Sequence, residues 1–210
     1  MADDGLREFE RAGQKLRLAQ NETIFSEGEA VDRAYKIVSG TVRLCKHLPD
    51  GRRQIAQFLF PGDYLSFIKL GDHSFSAEAV TDVLVISIPH SQVELLCSRN
   101  PELRNRLFGM LSARVRDIQN HLTMVGRQTA KERVASFLVM LLQRQGSRNG
   151  FVEVPMSRHD IADYLSLTTE TVSRILSLFK SKQIIIGHVN SHRFEIKNFT
   201  ALQALANCDR

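Results

Sequence analysis

Three polar residues near the carboxyl-terminal end have side chains and a spacing suited to directional hydrogen bonding. Glu170, Ser173 and Arg174 stand at i, i+3 and i+4, so a helix would project them from one face. Arginine can donate two hydrogen bonds to O6 and N7 of a guanine, glutamate can accept one from N4 of a cytosine, and a serine hydroxyl can serve several base edges. Together with Thr169, this set predicts a helix that reads DNA bases in the major groove.

The residues around this set predict the elements that would position it. Four apolar residues at i, i+3, i+4 and i+7 give the same helix a core face: Val172, Ile175, Leu176 and Phe179. Thr168 is its expected N-cap. Ser157 and Asp160 have capping-box spacing, which predicts a preceding short helix. Its buried side would hold Ile161, Ala162 and Leu165. Because only residues 166–168 separate the two helices, the segment from Met156 to Lys182 is predicted to be a helix-turn-helix.

A hairpin and several basic residues surround the predicted helix-turn-helix. Apolar runs at 184–186 and 194–196, turning near Asn190 and Ser191, predict a β-hairpin that would form a wing. Six side chains are candidate contacts to DNA phosphates: Arg158, Thr168, Thr171, Lys180, Lys182 and Arg193. An ordinary helical hairpin with an exposed Glu170–Arg174 pair, worth about a few tenths of a kcal/mol, remains the alternative interpretation.

A long helix with a narrow apolar stripe is predicted upstream. Pro101 suits a helix start, and apolar residues recur at steps of three or four as far as Val125. Such a stripe usually pairs with another helix, most simply the same helix of a second copy. The predicted dimer interface comprises Leu107, Leu111, Val115, Ile118, Leu122 and Val125. The alternative is a helix packed on its own domain. Gly126 is expected to break this helix, and the capping-box spacing of Thr129 and Glu132 predicts a new one.

The amino-terminal half has the pattern of an antiparallel β structure. Short apolar runs alternate with turn signals such as Pro49-Asp50-Gly51, which favours a sandwich or barrel. The predicted strands are 23–25, 34–38, 41–45, 54–60, 75–80 and 83–88. The predicted fold class is therefore α+β. We expect three parts: a sensor-like domain at 1–100, a dimerisation helix at 101–126 and a DNA-binding domain at 127–210.

Composition narrows the possible functions. The net charge of +5 lies entirely between residues 127 and 200, which is a reasonable footprint for nucleic acid, although a solvated basic surface is equally compatible. Cys45, Cys97 and Cys208 lie far apart, so no C-x-x-C pair offers local ligands for zinc or an iron–sulfur cluster. No apolar run is long enough to cross a membrane, so we expect a soluble cytoplasmic protein. No catalytic motif is recognisable, so we expect a protein that is not an enzyme and needs no cofactor.

The segments Met156–Leu165 and Leu167–Arg174 resemble the helix-turn-helix signature of the Crp/Fnr superfamily. The turns at 25–28, 38–42, 50–52 and 60–63 resemble its cyclic-nucleotide-binding-type β-roll, a jelly roll. This resemblance covers about residues 16–200 and implies a β-roll, a dimer helix and a winged helix-turn-helix. It also implies a homodimer on double-stranded DNA that contacts RNA polymerase, with activating surfaces near Lys69–Ser74 and Gln143–Gly150. Glu170, Ser173 and Arg174 match the Fnr-type reading triplet, whose half-site is TTGAT in an inverted repeat.

The sequence also departs from well-known members of that superfamily. Relatives that bind cyclic AMP hold its phosphate in the stretch corresponding to Asp63–Val80, which contains no arginine here, so we expect no cyclic nucleotide. Fnr itself uses clustered amino-terminal cysteines, and no cysteine precedes Cys45. The stretches 59–75 and 126–139 most resemble the FixK-type branch, which implies an activator of low-oxygen respiration or nitrogen-fixation genes. Ser166 replaces a common turn glycine, which would add about 1 kcal/mol of strain if φ is positive.

Two other functional hypotheses remain open from the sequence. His73 or His47 could serve a haem- or small-ligand-gated regulator of the same family, although a lone histidine is more often surface or core. A cyclic-nucleotide-type regulatory or protein-interaction module without a DNA role is the hypothesis from another class. Cys97 follows two leucines and is interpreted as buried filler rather than a redox switch, whereas Cys208 near the tail could oxidise.

Overall fold

The computed structural model describes residues 10–69, 71–146, 150–187 and 192–206. The chain divides into two compact units, residues 1–118 and 119–210, and each is described by itself. No helix in the described ranges combines the length and apolar character needed to cross a bilayer.

The described part of the first unit contains two four-stranded antiparallel sheets, with strand orders β1-β8-β3-β6 and β2-β7-β4-β5. The strands are β1 (Gln14–Leu18), β2 (Thr23–Phe25), β3 (Arg33–Ser39), β4 (Val42–His47), β5 (Arg53–Leu59), β6 (Tyr64–Leu65), β7 (Ser76–Ala79) and β8 (Val83–Pro89). All six predicted strands are confirmed. Residues 48–52 form the predicted hairpin turn, in which the Gly51 amide donates to the Leu48 carbonyl at 2.9 Å.

Two strands of the roll escaped prediction for different reasons. β1 is a polar strand at the edge of its sheet and is stabilised by pairing with the apolar β8. Its own sequence therefore lacks the apolar alternation that predicts a strand. β6 has two residues and pairs with β3 only at 64 and 65. Both are placed by partners distant in sequence.

The first unit has two apolar cores. One lies inside the roll and includes Phe25, Tyr35, Ile37, Val42, Leu59 and Val85. The other includes Ile86 and Ile88 of β8, Val93 of helix α1 (His90–Arg99), and Leu103 and Leu107 of helix α2 (Pro101–Arg127). The first two turns of α2 therefore belong to the packing of the β-roll. Helix α1 was not predicted.

Helix α2 ends two residues later than predicted. The expected break at Gly126 is wrong, because the helical hydrogen-bond pattern continues past it: the Gln128 amide donates to the Met124 carbonyl at 3.1 Å. A glycine in a helix costs only about 1 kcal/mol, which buried neighbours can offset. The new helix α3 (Ala130–Gln145) starts at the predicted Thr129–Glu132 capping box, with both reciprocal hydrogen bonds formed.

The second unit builds a helix-turn-helix beside a small sheet. After α3 come β9 (Phe151–Glu153), α4 (Arg158–Leu165), α5 (Thr169–Ser181), β10 (Ile185–Ile186), β11 (Arg193–Ile196) and α6 (Phe199–Ala206). The predicted hairpin is confirmed as β10 paired with β11, and β9 adds a third strand beyond it. The predicted turn at Asn190 and Ser191 lies outside the described residues. Helix α6, which packs on α3, was not predicted.

Candidate nucleic-acid interface

Reciprocal side-chain hydrogen bonds fix the start of α4. The Asp160 amide donates to Ser157 Oγ at 3.0 Å, and the Ser157 amide donates to Asp160 Oδ2 at 3.1 Å. Two amides at the helix start are thereby satisfied, as the capping box predicted. Ala162 is buried on this helix.

A single left-handed residue makes the turn between α4 and α5. Ser166 has φ 53° and ψ 50°, and the next amide, of Leu167, donates to the Ala162 carbonyl at 3.0 Å. This is the αL helix end that glycine usually occupies, so serine carries the predicted strain of about 1 kcal/mol. The three-residue connection sets the direction in which α5 leaves.

Thr168 caps α5 as predicted. Its Oγ1 accepts a hydrogen bond from the Thr171 amide at 3.2 Å and lies 3.0 Å from the Thr171 hydroxyl. Both hydroxyls were also candidate phosphate contacts, and the structure shows them engaged with each other at the helix start. An anion near this terminus would meet the positive end of the helix dipole.

The two faces of α5 separate as predicted. Its core residues are buried: Val172, Ile175, Leu176 and Phe179. Glu170, Ser173 and Arg174 are all exposed on the opposite face, and Thr169 is partly buried beside them. The structure therefore brings the whole candidate reading set to one accessible surface.

The carboxylate of Glu170 stays charged at this position. Its own backbone amide and the Thr168 hydroxyl lower the pKa of Glu170 below its usual range. An ionised carboxylate can only accept hydrogen bonds, which is the role that contact with the N4 amine of a cytosine requires.

The candidate phosphate contacts fall into two groups. Arg158 and Lys180 both lie over the Phe194 ring, each 5.4 Å from its centroid. Burial lowers the pKa of Arg158, and burial together with the Arg158 charge lowers that of Lys180. Arg193 is exposed, lies 4.3 Å over the Phe151 ring and has Nε 4.0 Å from Glu153 Oε1, while Lys182 is exposed at the end of α5.

Arg133, in the first turn of α3, joins the ends of α2 and α4 and was not identified from the sequence. Its guanidinium donates to the Val125 carbonyl at 2.6 Å, to that of Gln128 at 2.9 Å and to that of Leu165 at 3.0 Å. These carbonyls belong to the last turn of α2, the connection after it and the end of α4. Arg133 is therefore a positioning residue for the helix-turn-helix. Its nearness to Thr129 was visible in the sequence, but its partner at Leu165 is 32 residues away.

His121 links the same elements from the other side. Its ring stacks on Tyr164 of α4 at 4.2 Å between centroids, and Tyr164 in turn contacts Phe137. Burial, followed by the charge of Arg133, lowers the pKa of His121. Among the described residues its Nδ1 has no hydrogen-bond partner. A neutral ring is thus favoured at the junction of α2 and α4.

The predicted dimer stripe on α2 changes character along the helix. Leu107 is only 5% exposed because it belongs to the core of the β-roll, whereas Val115, Ile118 and Leu122 are 47%, 52% and 72% exposed. Leu111 and Val125 are partly buried. Phe108, not named from the sequence, is 60% exposed and extends the apolar surface toward the start of the helix.

One stretch of the β-roll lacks the arginine that cyclic-nucleotide-binding relatives are expected to use. The stretch 63–80 offers no arginine, and His73 turns inward, with its ring 3.6 Å from the Phe25 centroid and its Nδ1 3.3 Å from Ser66 Oγ. Burial, the largest influence, lowers the pKa of His73 and favours its neutral form. A buried phosphate needs a fixed cation, and Lys69, the one lysine of this stretch, is exposed.

Neither described cysteine has the character of a redox switch. Burial, and then the charge of Glu78, raise the pKa of Cys45 to about 12. Burial also raises the pKa of Cys97, which is partly buried, whereas the sequence predicted a buried residue. Both thiols are protonated at neutral pH and therefore weak nucleophiles. Cys208 lies outside the described residues.

Comparison with known proteins places both halves of the chain in one family. Residues 15–100 match the model of the cyclic nucleotide-binding domain, and residues 132–205 match that of the Crp-like helix-turn-helix domain. The nitrogen fixation regulation protein FixK of Azorhizobium caulinodans is 39% identical over 197 residues, covering 92% of this chain and 79% of that protein. The transcriptional activatory protein AadR of Rhodopseudomonas palustris is 37% identical, covering 94% and 84%.

A solved structure agrees with the sequence relatives. FixK2 from Bradyrhizobium japonicum superposes with a TM-score of 0.86 at 35% identity, covering 92% of this chain and 96% of that one. The exposed face of α5 therefore lies within a helix-turn-helix of a known DNA-binding type. The chain belongs to the Crp/Fnr family of DNA-binding transcription regulators, in which it resembles the FixK nitrogen-fixation regulators.

Proposed function

We propose that two copies of this regulator pair along α2 and present their α5 helices to an inverted repeat of TTGAT half-sites. The observation that carries this proposal is the exposed face of α5, where Glu170, Ser173 and Arg174 stand clear of a helix whose other side is buried. Thr169 borders the set. In this arrangement Arg174 reads a guanine and Glu170 accepts from a cytosine.

The remaining candidate residues hold the DNA backbone in this proposal. Lys182 and Arg193 are exposed cations, and Arg158 and Lys180 lie over the Phe194 ring. Thr168 and Thr171 offer the amino-terminal end of α5 to a phosphate. These contacts would fix the register of α5 without carrying sequence information.

The domain roles follow from this arrangement. Residues 1–100 form the β-roll domain, 101–126 the dimerisation helix and 127–210 the DNA-binding domain. Val115, Ile118 and Leu122 are the exposed part of the seam. Leu111 and Val125 flank this exposed part, and Leu107 lies at its end next to the β-roll. Two copies paired in this way place two α5 helices on one duplex, about one helical turn apart.

The biological role is taken from the FixK-type relatives. We propose activation of genes for low-oxygen respiration or nitrogen fixation, through contact with RNA polymerase. The surfaces expected to make that contact, Lys69–Ser74 and Gln143–Gly150, lie partly outside the described residues. The stretch 63–80 has no arginine to hold a cyclic phosphate, so regulation by such a ligand forms no part of this proposal.

Replacing Arg174 with alanine tests the base-reading role. The variant should lose about 1–3 kcal/mol of binding to a duplex with the TTGAT inverted repeat and nearly keep its binding to a scrambled duplex. Fluorescence anisotropy titrations with labelled duplexes over a series of salt concentrations measure both.

Lys182→Ala is the matched control, since it removes one cation from the end of the same helix. It should weaken both duplexes alike and lower the slope of log affinity against log salt by about 1. If the intact protein binds the two duplexes equally, the proposed base reading is wrong. A parallel loss in both Arg174→Ala titrations would reassign Arg174 to the DNA backbone.

A further inference from the structure

The β-roll brings together three potential metal ligands that are separated in the sequence. Cys45 Sγ, a ring nitrogen of His47 and a carboxylate oxygen of Glu78 lie within 4.8 Å of one another. Cys45 and His47 are two residues apart on β4, so their side chains leave the same face of the strand. Glu78 stands on the neighbouring β7, directly opposite Arg43. A search for C-x-x-C spacing misses such a set, because one ligand comes from another strand.

We propose that Cys45, His47 and Glu78 form a binding site for a thiophilic divalent metal ion of the Zn²⁺ type. One thiolate, one imidazole and one carboxylate are all ligands that zinc takes, and three protein ligands leave a fourth position for water. On binding, the Cys45 S–H bond breaks, an Sγ–metal bond forms, and the proton passes to solvent.

The two oxygens of Glu78 have separate partners, which suits a ligand carboxylate. Arg43 donates from Nε to Glu78 Oε2 at 2.8 Å, and its Nη2 contacts the same oxygen at 2.8 Å. The other oxygen, Oε1, faces His47 Nε2 at 3.5 Å. A metal held by Oε1 would therefore leave the Arg43 contact intact. Arg43 would orient the carboxylate from behind, as outer partners of metal ligands commonly do.

The distances suit a tetrahedral zinc site. Zinc bonds of about 2.0–2.3 Å in a tetrahedron put ligand atoms about 3.3–3.6 Å apart. His47 Nε2 and Glu78 Oε1, at 3.5 Å, already have this spacing, and all three ligand atoms lie within 4.8 Å of one another. The Cys45 side chain is buried and that of Glu78 is 15% exposed, so the β-roll holds both. The His47 side chain is 62% exposed, which lets its ring adjust to an ion and gives the ion a path from solvent.

The proposed metal site and the base-reading face can be tested separately. All three ligands lie in the first unit, while α5 lies in the second. Arg174 and its neighbours can therefore be intact whether or not the site binds metal, and a failure here leaves the proposed base reading untouched.

Titration with Co²⁺ tests the site directly, because cobalt takes zinc ligand sets and reports them by colour. The full-length protein, freed of any affinity tag and kept reduced by a phosphine, should develop a thiolate-to-cobalt charge-transfer band that saturates at one equivalent per chain. Added Zn²⁺ should bleach the band. Without a charge-transfer band, or with one that does not saturate at one equivalent, the proposal fails.

Three substitutions locate the signal. His47→Gln alters an exposed side chain that the fold does not need, and it should weaken Co²⁺ affinity at least about tenfold, as loss of a ligand does. Cys45→Ser should abolish the charge-transfer band. Cys97→Ser, at a partly buried thiol of α1, should leave the band unchanged. If Cys97→Ser abolishes the band, or His47→Gln leaves the affinity unchanged, the assignment to this cluster is overturned.

Discussion

Ser166 adopts a strained left-handed backbone conformation that the turn between α4 and α5 requires. Its φ of 53° lies in the left-handed region, where a side chain costs about 1 kcal/mol or more. The turn must nevertheless be made there, because α4 and α5 are three residues apart. The sequence predicted the position of this turn, because the caps and the apolar faces of the helices on either side are recognisable from residues close together in the chain.

Replacing Ser166 with glycine should stabilise the protein. Glycine removes the left-handed strain but gains freedom in the unfolded chain, so the expected net gain in the free energy of unfolding is about 0.5 kcal/mol. Urea denaturation measures it as a shift of the midpoint with an unchanged m-value. Ser173→Gly, on exposed helical backbone, should instead destabilise the protein. A Ser166→Gly midpoint at or below that of the parent would show that the turn is unstrained.

Local signals explain which residues of the site were predictable. Thr129, Ser157 and Thr168 satisfy amides within three residues, so their roles as caps were readable from spacing alone. Arg133 and His121 find their partners 32 and 43 residues away, at Leu165 and Tyr164. No spacing rule connects such pairs, and only the fold reveals them.

At the scale of elements, helix α2 has a buried part and an exposed part that its sequence does not separate. The apolar stripe of α2 is continuous, yet Leu103 and Leu107 complete the core of the β-roll while Val115, Ile118 and Leu122 remain exposed. A periodic pattern identifies the buried side of a helix but not what buries it. The exposed Phe108 was missed because Leu107 fits the repeat at the step before Leu111, although Phe108, seven residues before Val115, continues the exposed stripe.

The junction of α2 with α4 should be sensitive to acid. Burial and the charge of Arg133 lower the pKa of His121 below the usual value of about 6.5 for histidine. The unfolded chain therefore binds the proton more readily than the folded one. The stability that the neutral ring contributes is present above about pH 6.5 and is lost as pH falls toward the folded-state pKa.

His121→Phe should remove this part of the pH dependence. Phenylalanine keeps the stacking on Tyr164 and cannot take a proton, so the free energy of unfolding should fall less between about pH 7.5 and about pH 5.5 than in the parent, by at most about 1.4 kcal/mol per pH unit. Urea unfolding at the two pH values measures the difference. Equal slopes for the parent and His121→Phe would contradict a lowered pKa.

At the scale of the whole molecule, the account depends on two copies acting together. The exposed part of α2 offers Val115, Ile118 and Leu122 at a spacing that suits a helix partner. Apolar side chains on one stripe that are about half exposed or more mark an interaction surface. The pairing of two copies and the repeat of the half-site belong to one proposal, because a single α5 helix reads only one half-site.

Leu122→Glu should separate the two copies without unfolding either. Leu122 is 72% exposed within the single chain, so the substitution costs little there, but it would bury two like charges in the dimer at a cost of several kcal/mol, roughly. Sedimentation equilibrium should show a monomer, with much weaker binding to the inverted repeat. Asn120→Glu adds the same charge on the opposite side of the helix and should stay dimeric. A dimeric Leu122→Glu would place the interface elsewhere.

Selection of bound DNA from a random pool tests the central claim most directly. Purified intact protein should enrich an inverted repeat of TTGAT, with half-sites about one helical turn apart, both with and without air. The same selection with Arg174→Ala should lose preference at the base that Arg174 reads. Enrichment of an unrelated sequence, of a single half-site, or of no sequence would contradict the account.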